Sequence, residues 1–141
     1  MLADDFRPKM VVVEYNSVFG PEQAVTVPYD ERFSRHAAHP SLLYYGVSVA
    51  AWRALLEPSG YVFVTVESNG VNAFFIRPEC YPEGFADALQ GTPFLDNRSD
   101  KNGATAVSVD SGGDGIVPAR DWQSQFALIQ HLPLVEVARG D

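Results

Sequence analysis

The chain has a single cysteine, Cys80, in 141 residues. One thiol excludes an intrachain disulfide framework and a thiolate metal cluster. Cys80 lies in Arg77-Pro78-Glu79-Cys80-Tyr81-Pro82, where two prolines describe a turn and Glu79 disfavours thiolate, so it is a poor nucleophile. Basic residues are also scarce: ten Lys and Arg against eighteen Asp and Glu, for a net charge of -8, and the ten are scattered. Binding to phosphates and anionic headgroups needs clustered cations, so the composition argues against nucleic acid and membrane surfaces as partners and disfavours acidic substrates. No apolar run approaches the roughly 20 residues of a membrane span, and Asp4, Asp5 and Arg7 do not open a signal peptide. The expected location is the cytoplasm. Gly-x-Ser-x-Gly does not occur, which removes the nucleophile elbow of the hydrolases. A glycine-rich cofactor turn is missing too: in doubly wound folds it follows the first strand of the sheet, and here the strands begin without it.

What is present is enough for one domain with a core, since 46% of the residues are hydrophobic. Met10-Val11-Val12-Val13 reads as a strand covered on both faces, bounded by Pro8 and Asn16. Residues 18–40 carry Gly20-Pro21, Pro28 and two histidines without a period, and read as a long loop. Ser41 is an expected N-cap for a helix bearing Leu42, Tyr45, Val49, Trp52 and Leu56 on one face, stopped by Pro58 and Gly60. Residues 61–66 and 73–77 are expected strands joined by the Ser68-Asn69-Gly70 turn as a hairpin. Val12, Val64 and Phe75 are expected to be deeply buried. Beyond residue 78 the pattern loosens: a short helix over 83–89, an irregular stretch over 96–115 holding an edge-strand candidate at 104–109, a helix capped by Asp121, and an extended tail at 134–137. The fold class that follows is α/β, a partial doubly wound (Rossmann-like) sheet in the order strand, helix, strand, strand. It ends in an antiparallel hairpin, within one domain of an α/β half (1–78) and an irregular extension (79–141).

Several separated blocks then carry a likeness. Phe6-Arg7-Pro8-Lys9-Met10-Val11-Val12-Val13-Glu14-Tyr15-Asn16, Val25-Thr26-Val27-Pro28-Tyr29-Asp30, Tyr45-Gly46-Val47-Ser48, Gly60-Tyr61 and Ser68-Asn69-Gly70-Val71-Asn72-Ala73-Phe74-Phe75-Ile76-Arg77 occur in order. Together they resemble the C-terminal half of FkbM-type methyltransferase-like proteins, over about the first half of this chain. That family is similar to class I S-adenosylmethionine-dependent methyltransferases, whose sheets end in an inserted antiparallel strand. The resemblance implies S-adenosylmethionine as cofactor only where an upstream half supplies the acidic and glycine-rich motifs. None lies in this chain, so no cofactor-binding residue is assigned.

In open α/β sheets chemistry sits outside the carboxyl ends of the strands. That places Asn16 and Ser17 after the first strand, and Glu67, Ser68 and Asn69 after the second, as site candidates. The alternative is that Glu14 and Asn16 satisfy backbone groups where the loop leaves the sheet, and the missing cofactor half weighs towards it. His36 and His39 lie in the same loop near Asp30, Glu31, Arg32 and Arg35. One of them could take a proton from a methyl acceptor, or both are solvent-exposed loop residues without the third ligand or orienting carboxylate that a specific site needs. Asp110-Ser111-Gly112-Gly113-Asp114-Gly115 with Asp121 imitates a calcium loop, but Gly112, Pro118 and the final Asp leave the oxygen count short, and no metal is assigned. Trp52 and Trp122 read as packing residues.

Two readings of function follow, with a third behind them, a small-molecule binding domain that uses the loop after the first strand. One is a truncated or partial methyltransferase-like protein lacking the cofactor-binding half and inactive alone. The other is a non-catalytic α/β interaction module that binds a partner or its own copy through an exposed sheet edge. The strand at 10–15 has no proline within it and no lysine after Lys9, so its free edge is expected to be covered. The expected covers are a homodimer, a missing upstream half, or an added strand from 104–109 or 134–137.

Overall fold

β-branched side chains fit a pleated backbone, and Met10-Val11-Val12-Val13 accordingly forms a strand. In the computed structural model, which describes residues 6–99, 107–109, 116–118 and 121–140, this strand is β1, Met10–Glu14. A 3-10 turn at Ser17–Phe19 leads to β2 (Val25–Thr26), α1 (Arg35–Ala38), α2 (Val49–Leu56), β3 (Val62–Val66) and β4 (Asn72–Ile76). Then come α3 (Phe85–Ala88), β5 (Val107–Val109), β6 (Ile116–Pro118), α4 (Trp122–Ile129) and β7 (Val135–Glu136).

The main sheet has the order β1-β4-β3. β4 runs antiparallel to both neighbours, with Val11 opposite Phe75 on one side and Phe63 opposite Phe75 on the other. The expected hairpin is therefore present, with a bulge between Phe63 and Thr65. The α/β class also agrees with expectation. Its doubly wound arrangement does not appear: every described strand pairing is antiparallel, because β4 separates β1 from β3.

One face of the sheet carries the first core. Phe63, Val66, Ala73 and Phe75 pack with Tyr15, Val49, Leu56 and Tyr61, and Val11, Val13 and Trp52 close its margin. Phe63 and Phe75 meet edge-on at 5.4 Å between ring centres. Val64 and Phe75 are buried as expected, whereas Val12 is 50% exposed. Four successive apolar residues imply two covered faces. In β1 only the alternate set, Val11 and Val13, turns towards α2, while Met10, Val12 and Glu14 are exposed.

Helix α2 starts later than its periodicity suggests. Ser48, not Ser41, is the N-cap, its hydroxyl accepting the Ala51 N–H at 3.0 Å. Leu42 at φ 60 and Gly46 at φ 69 take left-handed backbone that no α-helix contains, so the helix cannot reach back to Ser41. Residues 18–40 are better ordered than a plain loop. Val18, Phe19 and Val25 form a second core with Leu43, Tyr44 and Ile129. The C-terminal part completes that core: Asp121 caps α4 as expected, accepting the Ser124 N–H at 2.8 Å, and Ile129 is fully buried. β7 pairs with β2, and β5 pairs with β6. Among the described residues, neither 107–109 nor 134–137 pairs with β1; residues 104–106 lie outside the described residues, as does the calcium-like stretch 110–115. Among the described residues no helix is long and apolar enough to cross a membrane.

These burials predict a contrast. Phe75→Ala should cost about 3–5 kcal/mol by opening a cavity in the first core, a large part of a typical total of about 5–15 kcal/mol. Val12→Asp, on an exposed face, should cost under about 1 kcal/mol in dilute solution. Urea unfolding of both variants checks this, and a Val12→Asp loss as large as that of Phe75→Ala would place Val12 in the core.

Candidate functional site

The carboxyl ends of β1 and β3 lie where the sequence directs attention, and each polar group there has a traceable partner. β1 runs into Tyr15, Asn16 and Ser17, all about 1% exposed. Asn16 Nδ2 donates to the carbonyls of Leu43 at 2.7 Å and Tyr45 at 2.8 Å. Its Oδ1 accepts the Val18 N–H at 3.2 Å, and its backbone N–H reaches Val47 O at 2.8 Å. A buried amide can do this because it carries donors and acceptors on one short side chain. Asn16 is thereby committed to backbone.

Ser17 is committed as well. Its hydroxyl accepts the Asn97 N–H at 3.0 Å, and Asn97 belongs to a strap, residues 95–98, that crosses the strand ends. Tyr15 Oη donates to Leu95 O at 2.7 Å, and the Arg98 N–H donates to Asn69 O at 2.8 Å. Asp96 anchors the strap to α4 by accepting the Trp122 N–H at 2.8 Å. Gly70, at φ 70, lies so close beneath the strap that a Cβ there would run into the Asp96 carbonyl. Glu67 closes the β3–β4 turn: its carboxylate accepts the N–H groups of Asn69 and Val71, each at 2.8 Å, and of Asn72 at 3.3 Å.

Electrostatics follow from this crowding. Burial pushes the Tyr15 phenol up to about 12, against the Leu95 hydrogen bond, with the nearby Glu67 and Asp96 charges adding to the rise. Burial likewise raises Asp96, opposed by the Trp122 N–H. Glu67 is lowered, first by the Asn69 N–H and then by those of Val71 and Asn72, against partial desolvation. A phenol near 12 is a hydrogen-bond donor near neutrality, not an acid or a base. Among the described residues every buried side-chain N or O atom has a hydrogen-bond partner.

The structure thus brings Asn16, Ser17, Glu67 and Asn69 to one end of the sheet and gives them structural work. Asn69 and Ser68 are exposed at the turn. The histidines do not join them: His36 is exposed on α1, and His39 Nδ1 lies 2.7 Å from Ser41 Oγ and takes the Ser41 N–H. His39 instead stacks edge-on against His131, 5.8 Å between ring centres. No group of three or more His, Cys, Asp or Glu among the described residues could hold a metal ion. Sequence reasoning missed Tyr15, the strap and His131. The strap's mark in the sequence is Asp96-Asn97, polar turn formers that read as an irregular connection. Comparison of the chain with protein-family models, with curated proteins and with solved structures finds no match.

Two predictions come from these bonds. Asn16→Ala strands two buried carbonyls and one N–H, and should cost about 3 kcal/mol, more than Ser17→Ala at about 1 kcal/mol, in urea unfolding. Equal losses would mean that Asn16 is not the junction described. The Glu67 carboxylate binds its proton more weakly folded than unfolded. Its stabilisation is therefore complete above the ordinary glutamate value of about 4.3 and disappears as pH falls through the lower folded value. Glu67→Gln should flatten the acid limb of stability against pH, and an unchanged limb would refute the assignment.

Proposed function

We propose that this chain is a non-catalytic α/β interaction module that works by accepting a further strand at the open edge of β1. The observation that carries this reading is the one-sided pairing of that strand. Arg77 N–H donates to Lys9 O and Tyr15 N–H to Val71 O, so the odd-numbered residues of β1 face β4. Antiparallel alternation then turns the N–H and C=O of Met10 and Val12 outward, and among the described residues no strand pairs with them. Their side chains, 44% and 50% exposed, add apolar surface beside these unpaired groups. Such an edge is a template for strand addition.

The strand ends support the non-catalytic part. Asn16, Ser17 and Glu67 hold backbone, and the strap lies across them, so among the described residues these three candidates are committed to folding rather than free to act as base or nucleophile. The methyltransferase likeness remains a second reading, favoured by one specific observation: β4 lies antiparallel between β1 and β3, the way class I methyltransferase sheets end. On that reading the chain is a structural half and contributes architecture, not cofactor contacts.

Two measurements test the proposal. Calorimetric titration with S-adenosylmethionine is expected to show no saturable heat, and low-micromolar binding would overturn the non-catalytic assignment. Amide exchange in dilute protein is expected to be fast at Met10 and Val12 and slow at Val11 and Val13. Protection of Met10 and Val12 at every dilution would mean that the chain covers its own edge.

A further inference from the structure

Building on the open-edge reading, we infer that the strand which completes the sheet is β1 of a second copy of this chain, antiparallel, with Met10 opposite Val12 and Val12 opposite Met10. The open stretch is bounded on both sides by groups that are already spent. Pro8 has no N–H, and its carbonyl accepts the Tyr61 hydroxyl at 2.8 Å. At the other end the Glu14 carbonyl accepts the Trp52 indole N–H at 2.9 Å. Between these stops lie four outward groups at Met10 and Val12, the N–H and C=O of each, and beyond them the Glu14 N–H, which also points outward.

Two donors and two acceptors at alternate positions are their own complement. A two-fold axis through Val11 pairs each Met10 N–H with the Val12 carbonyl of the second copy, and each Val12 N–H with the opposite Met10 carbonyl. All four groups are used on each side. Shifting the register so that Val12 faces Val12 would pair the Met10 carbonyl with the Glu14 N–H but set each Met10 N–H against a Glu14 carbonyl that the indole already holds, whereas the proposed register leaves no Met10 or Val12 group without a free partner.

Charge favours the same orientation. Arg7 and Lys9 are exposed at the start of the strand and Glu14 at its end. Antiparallel pairing brings the acidic end of each strand, Glu14, level with the basic end of the other, Arg7 and Lys9 around Pro8, so like charges are kept apart along the seam. Met10 and Val12 become cross-strand neighbours on the face shared with Phe74, covering the apolar side chains that a single copy exposes. The two three-stranded sheets join as one, in the order β3-β4-β1-β1-β4-β3.

Light scattering across the micromolar range should show the wild-type mass rising from one chain to two. Val12→Lys, shown to be folded by circular dichroism, should stay at one chain. The register has its own readout in a Cys80→Ser background. Val11→Cys sits on the axis, where non-hydrogen-bonded partners are about 4.5 Å apart at Cα, and should cross-link on mild oxidation. Val12→Cys should not. Three outcomes overturn the inference: a wild type that stays monomeric throughout, a Val12→Lys dimer as tight as wild type, or cross-linking by Val12→Cys in place of Val11→Cys. A monomer whose Met10 and Val12 amides still exchange fast removes the second copy while leaving the open edge intact, so the two proposals fail separately.

Discussion

Asn16 is the point on which the rest of the structure turns. Its side-chain amide holds the carbonyls of Leu43 and Tyr45, and its backbone N–H holds that of Val47. Those three bonds fix the extended approach to α2 against the end of β1. The same approach then delivers Ser48, whose hydroxyl accepts both the Ala51 N–H at the start of α2 and the Val25 N–H at the start of β2. One buried amide thus connects the sheet and α2, which carry the first core, to the segment around Val18, Phe19 and Val25, which carries the second. A hydrophobic contact could not do this, because the groups to be satisfied are carbonyls whose burial is costly unless a donor reaches them.

That commitment has a consequence for function. A polar residue at the carboxyl end of a strand is a candidate for catalysis only while its polar atoms are free to meet a substrate. In this chain the demand from neighbouring backbone comes first, since residues 43–47 run beside the strand end without forming a helix or a full sheet ladder of their own. The strap at 95–98 adds to the demand. Its N–H groups find acceptors in Ser17 and in the Asn69 carbonyl, and its Asp96 finds a donor at Trp122. Folding thus accounts for the bonds that Asn16, Ser17 and Glu67 make.

Much of this was legible in the sequence, and the misses have physical causes. The β3–β4 hairpin shows in aromatic and β-branched runs around Ser68-Asn69-Gly70, and the α4 cap shows in Asp121 ahead of Trp122, because turn and cap chemistry is local. The apolar spacing of Leu42 and Tyr45 continues that of the helix and so points to a start at Ser41, seven residues before the true cap at Ser48. The Tyr45 ring lies under the Arg35 guanidinium of α1 instead, and Leu42 and Gly46 take backbone angles that spacing does not reveal. A run of four apolar residues looks the same whether one face or two are covered, so the sequence does not reveal that Val12 is exposed. The strap was invisible because its contacts join residues about eighty positions apart, Tyr15 to Leu95 and Ser17 to Asn97, through backbone groups that every residue carries.

The edge of β1 shows the same economy in reverse. Natural sheets guard their edges with lysines, prolines and bulges, and this strand carries such guards only at its ends. Pro8 removes a donor before the strand, and Trp52, fixed on α2, caps the carbonyl of Glu14. These two stops would be poor protection if the aim were to keep the edge bare, since they leave its apolar middle uncovered. As limits on pairing they work better. An added strand finds hydrogen-bond partners at Met10 and Val12, while the Pro8 and Glu14 carbonyls on either side already hold a donor, so slippage along the edge sets its donors against occupied acceptors. Register along an exposed strand is otherwise weakly specified, and here the indole that occupies the Glu14 carbonyl is held in place by the packing of Trp52 against the first core.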